Sequence, residues 1–155
     1  MKHIKADIHA NDNSYPIAII VSRFNQSVTE ELLKGTLSRL EALNIASDDI
    51  LVVEVPGAVE IPLVAQKLAK KQQVEAIIAL GAVVRGETTH YDYVCDQVSQ
   101  GCQQVSLAHN IPVIFGVLTT ENGQQAWDRL GGNHGHKGHD AADAAIEMIL
   151  VNNSI

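Results

Sequence analysis

The segment Arg85-Gly86-Glu87-Thr88-Thr89-His90 directly follows an apolar run and carries the residue types with the clearest chemical potential. Gly86 and the two threonines can open a helix whose first backbone N–H groups point outward, and such a helix start is a natural phosphate site. His90 would lie in the first turn. An imidazole with an ordinary pKa of about 6.5 suits proton transfer near neutral pH. The same residues also suit a plain capped helix with a solvated histidine, and spacing alone leaves both readings open.

Three other segments hold candidates. In Ser22-Arg23-Phe24-Asn25 a phenyl ring follows an apolar run directly. It can stack on a flat heterocycle or pack into the core. In Pro56-Gly57-Ala58-Val59-Glu60 the carboxylate can accept hydrogen bonds from ligand hydroxyls, or sit solvated at a helix N-terminus. The stretch Arg129–Asp140 holds four glycines between Gly131 and Gly138, so its backbone can approach a ligand closely. Arg129 and Lys137 flank it and could clamp a phosphate. His134, His136 and His139 invite a metal-site reading. No carboxylate–histidine spacing of a known metal motif accompanies them, so a solvated loop and no metal are expected. Trp127 reads as helix packing.

These candidates need elements to hold them. Four nearly continuous apolar runs, Ile17–Ser22, Ile50–Val55, Ala76–Val83 and Val113–Leu118, suit strands buried on both faces of a parallel sheet. Helical patterns separate them. Ser27-Val28-Thr29-Glu30 fits a capping box, and Leu33, Leu37 and Leu40 follow at helical spacing. A second helix is expected over Val59–Lys71, with Pro62 near its start. A third covers about Thr89–His109, with Tyr91, Val94, Val98, Cys102 and Val105 on one side. A short helix near Gln124–Leu130 and an Ala-rich one over Asp140–Val151 complete the set. Strand–helix alternation implies a three-layer α/β/α sandwich with a four-stranded parallel sheet. Ligands of such sheets bind outside the carboxyl ends of the strands, which singles out Ser22–Asn25, Pro56–Glu60, Val83–His90 and Thr119–Asn122. The polar residues 1–14 are expected to form an N-terminal arm on a single domain.

Composition narrows the partners. The 155 residues carry 11 Lys plus Arg against 18 Asp plus Glu, a net charge of −7, which disfavours nucleic acid. The longest apolar run, Ala76–Val84, is far short of the ~20 residues of a membrane helix. The N-terminus shows no apolar signal-type stretch, so a cytoplasmic protein is expected. Cys95 and Cys102 fall on one expected helix, about 10 Å apart at ~1.5 Å per residue. That separation is too wide for a disulfide, and both read as reduced, buried thiols.

Taken together and in order, the segments SRFN (Ser22–Asn25), VPGAVEIPL (Val55–Leu63), ALGAVVRGETTHYDYV (Ala79–Val94), PVIFGVLTTEN (Pro112–Asn122) and GNHGHKG (Gly132–Gly138) make the chain resemble the lumazine synthase family. The resemblance implies a flavodoxin-like fold and a condensation of 5-amino-6-(D-ribitylamino)uracil with 3,4-dihydroxy-2-butanone 4-phosphate, with no cofactor. It implies that Phe24 stacks on the pyrimidine, that Asn25, Val83 and Val84 meet its edge, and that Ala58, Val59 and Glu60 hold the ribityl chain. Gly86, Glu87 and Thr88 would bind phosphate, helped by Arg129, and His90 would shuttle protons. Phe115 and Lys137 would close the site, and Asp140 would orient Arg129 or His90. In the family, Phe115, Lys137 and Arg129 come from the neighbouring subunit of a pentamer. Some members build a 60-subunit shell from pentamers, with riboflavin synthase as a possible guest. No insertion interrupts Arg129–Lys137, so a shell is permitted. Two departures stand out: Val59 replaces an aromatic residue of many relatives, and GNHGH replaces their Lys-Ala-Gly-Asn pattern. The rival readings are a non-catalytic flavin or lumazine binder on the same scaffold and a flavodoxin-like electron carrier.

Overall fold

The apolar runs Ile17–Val21 and Ala76–Val84 become the centre of the sheet, because a strand covered by helices on both faces needs apolar side chains on both. The computed structural model describes residues Met1–Ile155. In it, strand β1 (Ile17–Ser22) is buried along its whole length and β3 (Ala76–Val84) along nearly all of it. They are flanked by β2 (Ile50–Val55) and β4 (Val113–Thr120) in the order β2-β1-β3-β4, with every pairing parallel. Ile17 lies beside both Ile50 and Ala76, and Ile77 beside Val113, so the carboxyl ends of β1, β2 and β3 open on the same edge.

Helices α1 (Gln26–Ala42), α2 (Ile61–Lys71) and α3 (His90–His109) connect the strands, and α4 (Gly123–Asp128) and α5 (Lys137–Asn152) follow β4. Side chains alternate across the sheet. Ile17, Ile19, Ile78 and Leu80 pack with Leu32 and Leu40 of α1 and Ile146 and Ile149 of α5. Ala18, Ile20, Ile77 and Ala79 pack with Ile61 and Ala65 of α2 and Val98 and Val105 of α3. The result is the expected three-layer α/β/α sandwich of flavodoxin-like type. Within residues 1–14, Ile8 packs against the core, and Asn11 is buried, donates to the Leu43 carbonyl at 3.2 Å and accepts at its own carbonyl from Asn44 Nδ2 at 2.9 Å. No helix is long and apolar enough to cross a membrane.

Several local expectations are corrected. Strand β2 is not covered on both faces: Leu51 and Val52 are 47% and 38% exposed, because β2 is an edge strand paired only with β1. The capping box at Ser27–Glu30 does not form. Asn25 adopts a left-handed conformation (φ 61°) and its carbonyl accepts the N–H groups of Val28 and Thr29, so Asn25, not Ser27, is the N-cap and α1 starts earlier than expected. Trp127 is 45% exposed rather than packed, and Cys95 is only half-buried. The last helix begins at Lys137, three residues ahead of the expected start, because His136 serves as its N-cap. The glycine-rich stretch before it is a hairpin of β5 (Leu130–Gly132) and β6 (Gly135–His136), in which Gly131 (φ 95°) and Gly135 (φ 70°) hold backbone angles that L side chains rarely adopt.

Candidate functional site

The turns after β1 and β2 are tied to each other by backbone hydrogen bonds. Arg23 N–H donates to the Val55 carbonyl at 2.9 Å and Phe24 N–H to the Pro56 carbonyl at 3.0 Å. This fixes Phe24 at the mouth of the sheet with its ring 72% exposed. A core role is thereby excluded, and the ring presents a free apolar face. Asn25 turns the other way: its Nδ2 donates to the Ala82 carbonyl at 2.9 Å, which ties the β1 turn to β3.

The β2 turn ends in a single 3₁₀ turn, Ala58–Glu60. Gly57 N–H donates to Glu60 Oε2 at 2.9 Å, so this carboxylate caps its own turn and stays exposed beside the cleft. The β3 turn leads into α3. Thr88 Oγ1 accepts from His90 N–H at 3.3 Å, and Thr89 makes no side-chain cap, which leaves helix-start N–H groups open. His90 is the first residue of α3 and is exposed; Glu87 is exposed beside it.

A cleft of about 360 Å³ joins these turns. Phe24 forms one wall, and Gly57, Ala58 and Val59 another. Val83, Val84, Gly86, Thr88 and His90 form the third, closed by Tyr91 and Val94 of α3. The lining is mostly apolar, and its polar side chains come from Thr88, His90 and Tyr91, at the turn into α3 and its first turn. Such a cleft suits a flat ring together with an anion.

Arg129 and Lys137 open into a different cleft, of about 290 Å³, lined also by Thr119, Thr120, His134 and Asp140. The hairpin brings them together, because Lys137 N–H donates to the Arg129 carbonyl at 2.8 Å. Arg129 Nη1 donates to the Gln125 carbonyl at 2.9 Å, which aims the guanidinium. Phe115 lines neither cleft; it is half-buried on β4 against the α2–α3 layer.

Of the histidines in the glycine-rich stretch, His134 lines this second cleft, whereas His136 and His139 act structurally. His136 Nδ1 accepts from the N–H groups of Gly138 (3.1 Å) and His139 (3.4 Å), and its ring stacks on His139 with centroids 4.3 Å apart. Burial lowers its pKa first and nearby His139 second. The structure brings together no group of three or more His, Cys, Asp or Glu side chains able to hold a metal ion. Burial pushes the Cys102 thiol up to about 11 and raises that of Cys95 as well, so neither is a ready nucleophile.

Two contributors escaped sequence reasoning. Tyr91 and Val94 were legible only as one side of a helix, yet they wall the cleft. The helical pattern shows which side of α3 is apolar, but not that this side continues past the sheet edge into the cleft.

The sequence matches the family model described as 6,7-dimethyl-8-ribityllumazine synthase over residues 14–153. It is 56% identical over 140 residues to the 6,7-dimethyl-8-ribityllumazine synthase of Coxiella burnetii strain Dugway 5J108-111, covering 90% of this chain and 93% of that protein. The protein of the same name from Coxiella burnetii strain CbuG_Q212 gives the same identity and coverage. The residues of the cleft lie inside the matched region, and the chain belongs to the 6,7-dimethyl-8-ribityllumazine synthase family of enzymes.

Proposed function

We propose that this enzyme condenses 5-amino-6-(D-ribitylamino)uracil with 3,4-dihydroxy-2-butanone 4-phosphate to 6,7-dimethyl-8-ribityllumazine, the penultimate step of riboflavin biosynthesis, releasing phosphate and water. The observation that carries this reading is one cleft lined by both the exposed Phe24 ring and the Gly86–His90 helix start. A pyrimidine stacks on Phe24, with the Val83–Val84 backbone and Asn25 at its edge. The ribityl chain runs past Ala58 and Val59 toward Glu60. The phosphate sits on the N–H groups and hydroxyl of Gly86, Glu87 and Thr88.

The chemistry needs no covalent bond to the protein. The amine attacks the ketone and water leaves as the imine forms; phosphate is then eliminated, and ring closure expels a second water. Holding both reactants together is worth up to about 7–11 kcal/mol. His90, beside the reacting atoms, moves protons and adds roughly 10²–10⁴-fold. Cationic groups and helix-start N–H groups stabilise the departing phosphate.

Arg129, Lys137 and Phe115 act on the cleft of a neighbouring copy. Arg129 and Lys137 open into a cleft separate from the one holding His90, which supports a site completed between subunits. Exposed Leu51, Leu63, Tyr93 and Leu107 supply apolar surface for such packing. The assembly is a pentamer or a 60-subunit shell of a cytoplasmic enzyme, each subunit one domain with residues 1–14 as an arm, and riboflavin synthase is a candidate guest. Mixing the purified protein with both substrates tests the reaction: lumazine absorbance and fluorescence should rise far faster than in protein-free solution. An unchanged rate overturns the reading, and a tightly bound yellow flavin in place of activity favours an electron carrier.

A further inference from the structure

Arg85 sits just past the carboxyl end of β3, outside the cleft, and makes more contacts than an ordinary surface cation. Its Nε donates to Glu121 Oε2 at 2.6 Å, and its Nη2 to Asp92 Oδ1 at 3.3 Å. The guanidinium carbon lies 4.3 Å from the centre of the Tyr91 ring. Its backbone N–H donates to the Thr120 carbonyl at 2.9 Å, the last rung between β3 and β4. Tyr91 and Asp92 are the two residues that follow His90 at the start of α3. The imidazole of His90 has no hydrogen-bond partner within the chain; only its backbone N–H is held, by Thr88 Oγ1. Its position therefore depends on what fixes the first turn of α3, and both of its downstream neighbours meet one guanidinium.

The far anchor is itself fixed. Glu121 N–H donates to Gln125 Oε1 at 2.8 Å, and Gln125 N–H donates to Asn122 Oδ1 at 2.9 Å, so the turn after β4 is braced by α4. The planar fork of arginine can reach two carboxylates while its face covers a ring, a combination that lysine lacks. We propose that Arg85 is a positioning residue of the reaction. It clamps the start of α3 to the turn after β4 and so holds Gly86–Thr88 at phosphate-binding geometry and His90 at the reacting atoms. This rests on the proposed condensation and names a determinant of the phosphate end of the site.

An exposed ion pair contributes little to stability, so the clamp separates from folding. Arg85→Met and Glu121→Ala should leave the melting temperature within about 2 °C of wild type. Each should raise KM for 3,4-dihydroxy-2-butanone 4-phosphate about tenfold and lower kcat several-fold, with KM for the pyrimidine changed less than about twofold. Glu121→Gln keeps an acceptor oxygen and should recover most of the loss. The double variant Arg85→Met/Glu121→Ala should be no worse than Arg85→Met alone. Arg85→Lys keeps the charge without the fork and should remain at least about fivefold impaired in that KM. Wild-type kinetics in Arg85→Met, or full recovery in Arg85→Lys, overturns the proposal while leaving the condensation standing. If Arg85→Met melts early, Glu121→Ala alone decides, and wild-type kinetics there overturns it. A wild-type protein that forms no lumazine removes the underlying reaction instead.

Discussion

His90 and Arg129 open into separate clefts of the same chain, one walled by β3 and α3 and the other by β4 and the start of α5. If both serve one reaction, each site draws on two subunits. Two crippled variants should then complement each other. In oligomers reassembled from equal amounts of His90→Asn and Arg129→Ala, random neighbours give about a quarter of sites with both native residues. Activity of the mixture should rise to roughly a quarter of wild type, well above the mean of the parents. A mixture that only averages them places the two residues in one chain's site.

The single variants should differ in severity. Under the proposed mechanism, His90→Ala takes a proton shuttle from a reaction with a good nucleophile and a good leaving group. It should lower kcat by about 10²-fold, the weak end of general acid–base catalysis. Under the same mechanism, Arg129→Ala takes away the charged anchor proposed for the phosphate and should lower kcat/KM by roughly 10³-fold. Steady-state kinetics with each substrate varied in turn would check the order. His90→Ala with native kcat and KM ends the proton-shuttle assignment. Its exposure at the helix start means that the melting temperature should not move.

The interior of the sheet was readable from composition because β1 and β3 must be apolar on both faces. The β2 run has the same character, yet an edge position, set only by strand order, leaves Leu51 and Val52 exposed. The start of α1 was misread because Ser27 and Glu30 satisfy a local pattern, whereas Asn25 reaches across to the Ala82 carbonyl and fixes the turn from outside it. Phe24 could not be assigned to core or ligand from its neighbours. Its exposure follows from backbone bonds to the β2 turn, more than thirty residues later in sequence. The glycines of Gly131–Gly138 signalled a turn, but the pairing of Leu130 with His136 depends on where α5 packs. That His90 and Arg129 open into separate clefts is not legible locally, because the spacing of residues 85–90 and 129–137 says nothing about which crevice each segment faces.

Gly138 shows how closely α5 approaches α1. A Cβ there would overlap the Leu32 carbonyl oxygen and crowd Thr36 Oγ1, which itself donates to the carbonyls of Leu32 (2.9 Å) and Gly138 (3.1 Å). Gly138→Ala should therefore destabilise the fold by about 1–3 kcal/mol. For a chain of this length each kcal/mol is worth roughly 2–4 °C in Tm. Thermal denaturation followed by circular dichroism would measure it. A native Tm would mean that the helices can part without cost.

The cap on α5 carries its own pH dependence. His136 Nδ1 can accept the Gly138 and His139 N–H groups only while it is unprotonated. A proton there also places positive charge at a helix N-terminus. Burial and neighbouring His139 hold its pKa below the ordinary 6.5, while the Glu31 and Asp140 carboxylates oppose this more weakly. The unfolded chain therefore takes up the proton first. Stability is full above about pH 6.5 and falls as pH drops from there through the lower folded-state value. Losing an N-cap costs about 1 kcal/mol, or roughly 2–4 °C in Tm at this chain length. His136→Asn keeps an acceptor and cannot titrate. Between pH 7.5 and 5, wild-type Tm should fall by about that margin more than the Tm of His136→Asn. Parallel curves for the two proteins would show that this imidazole does not couple the last helix to pH.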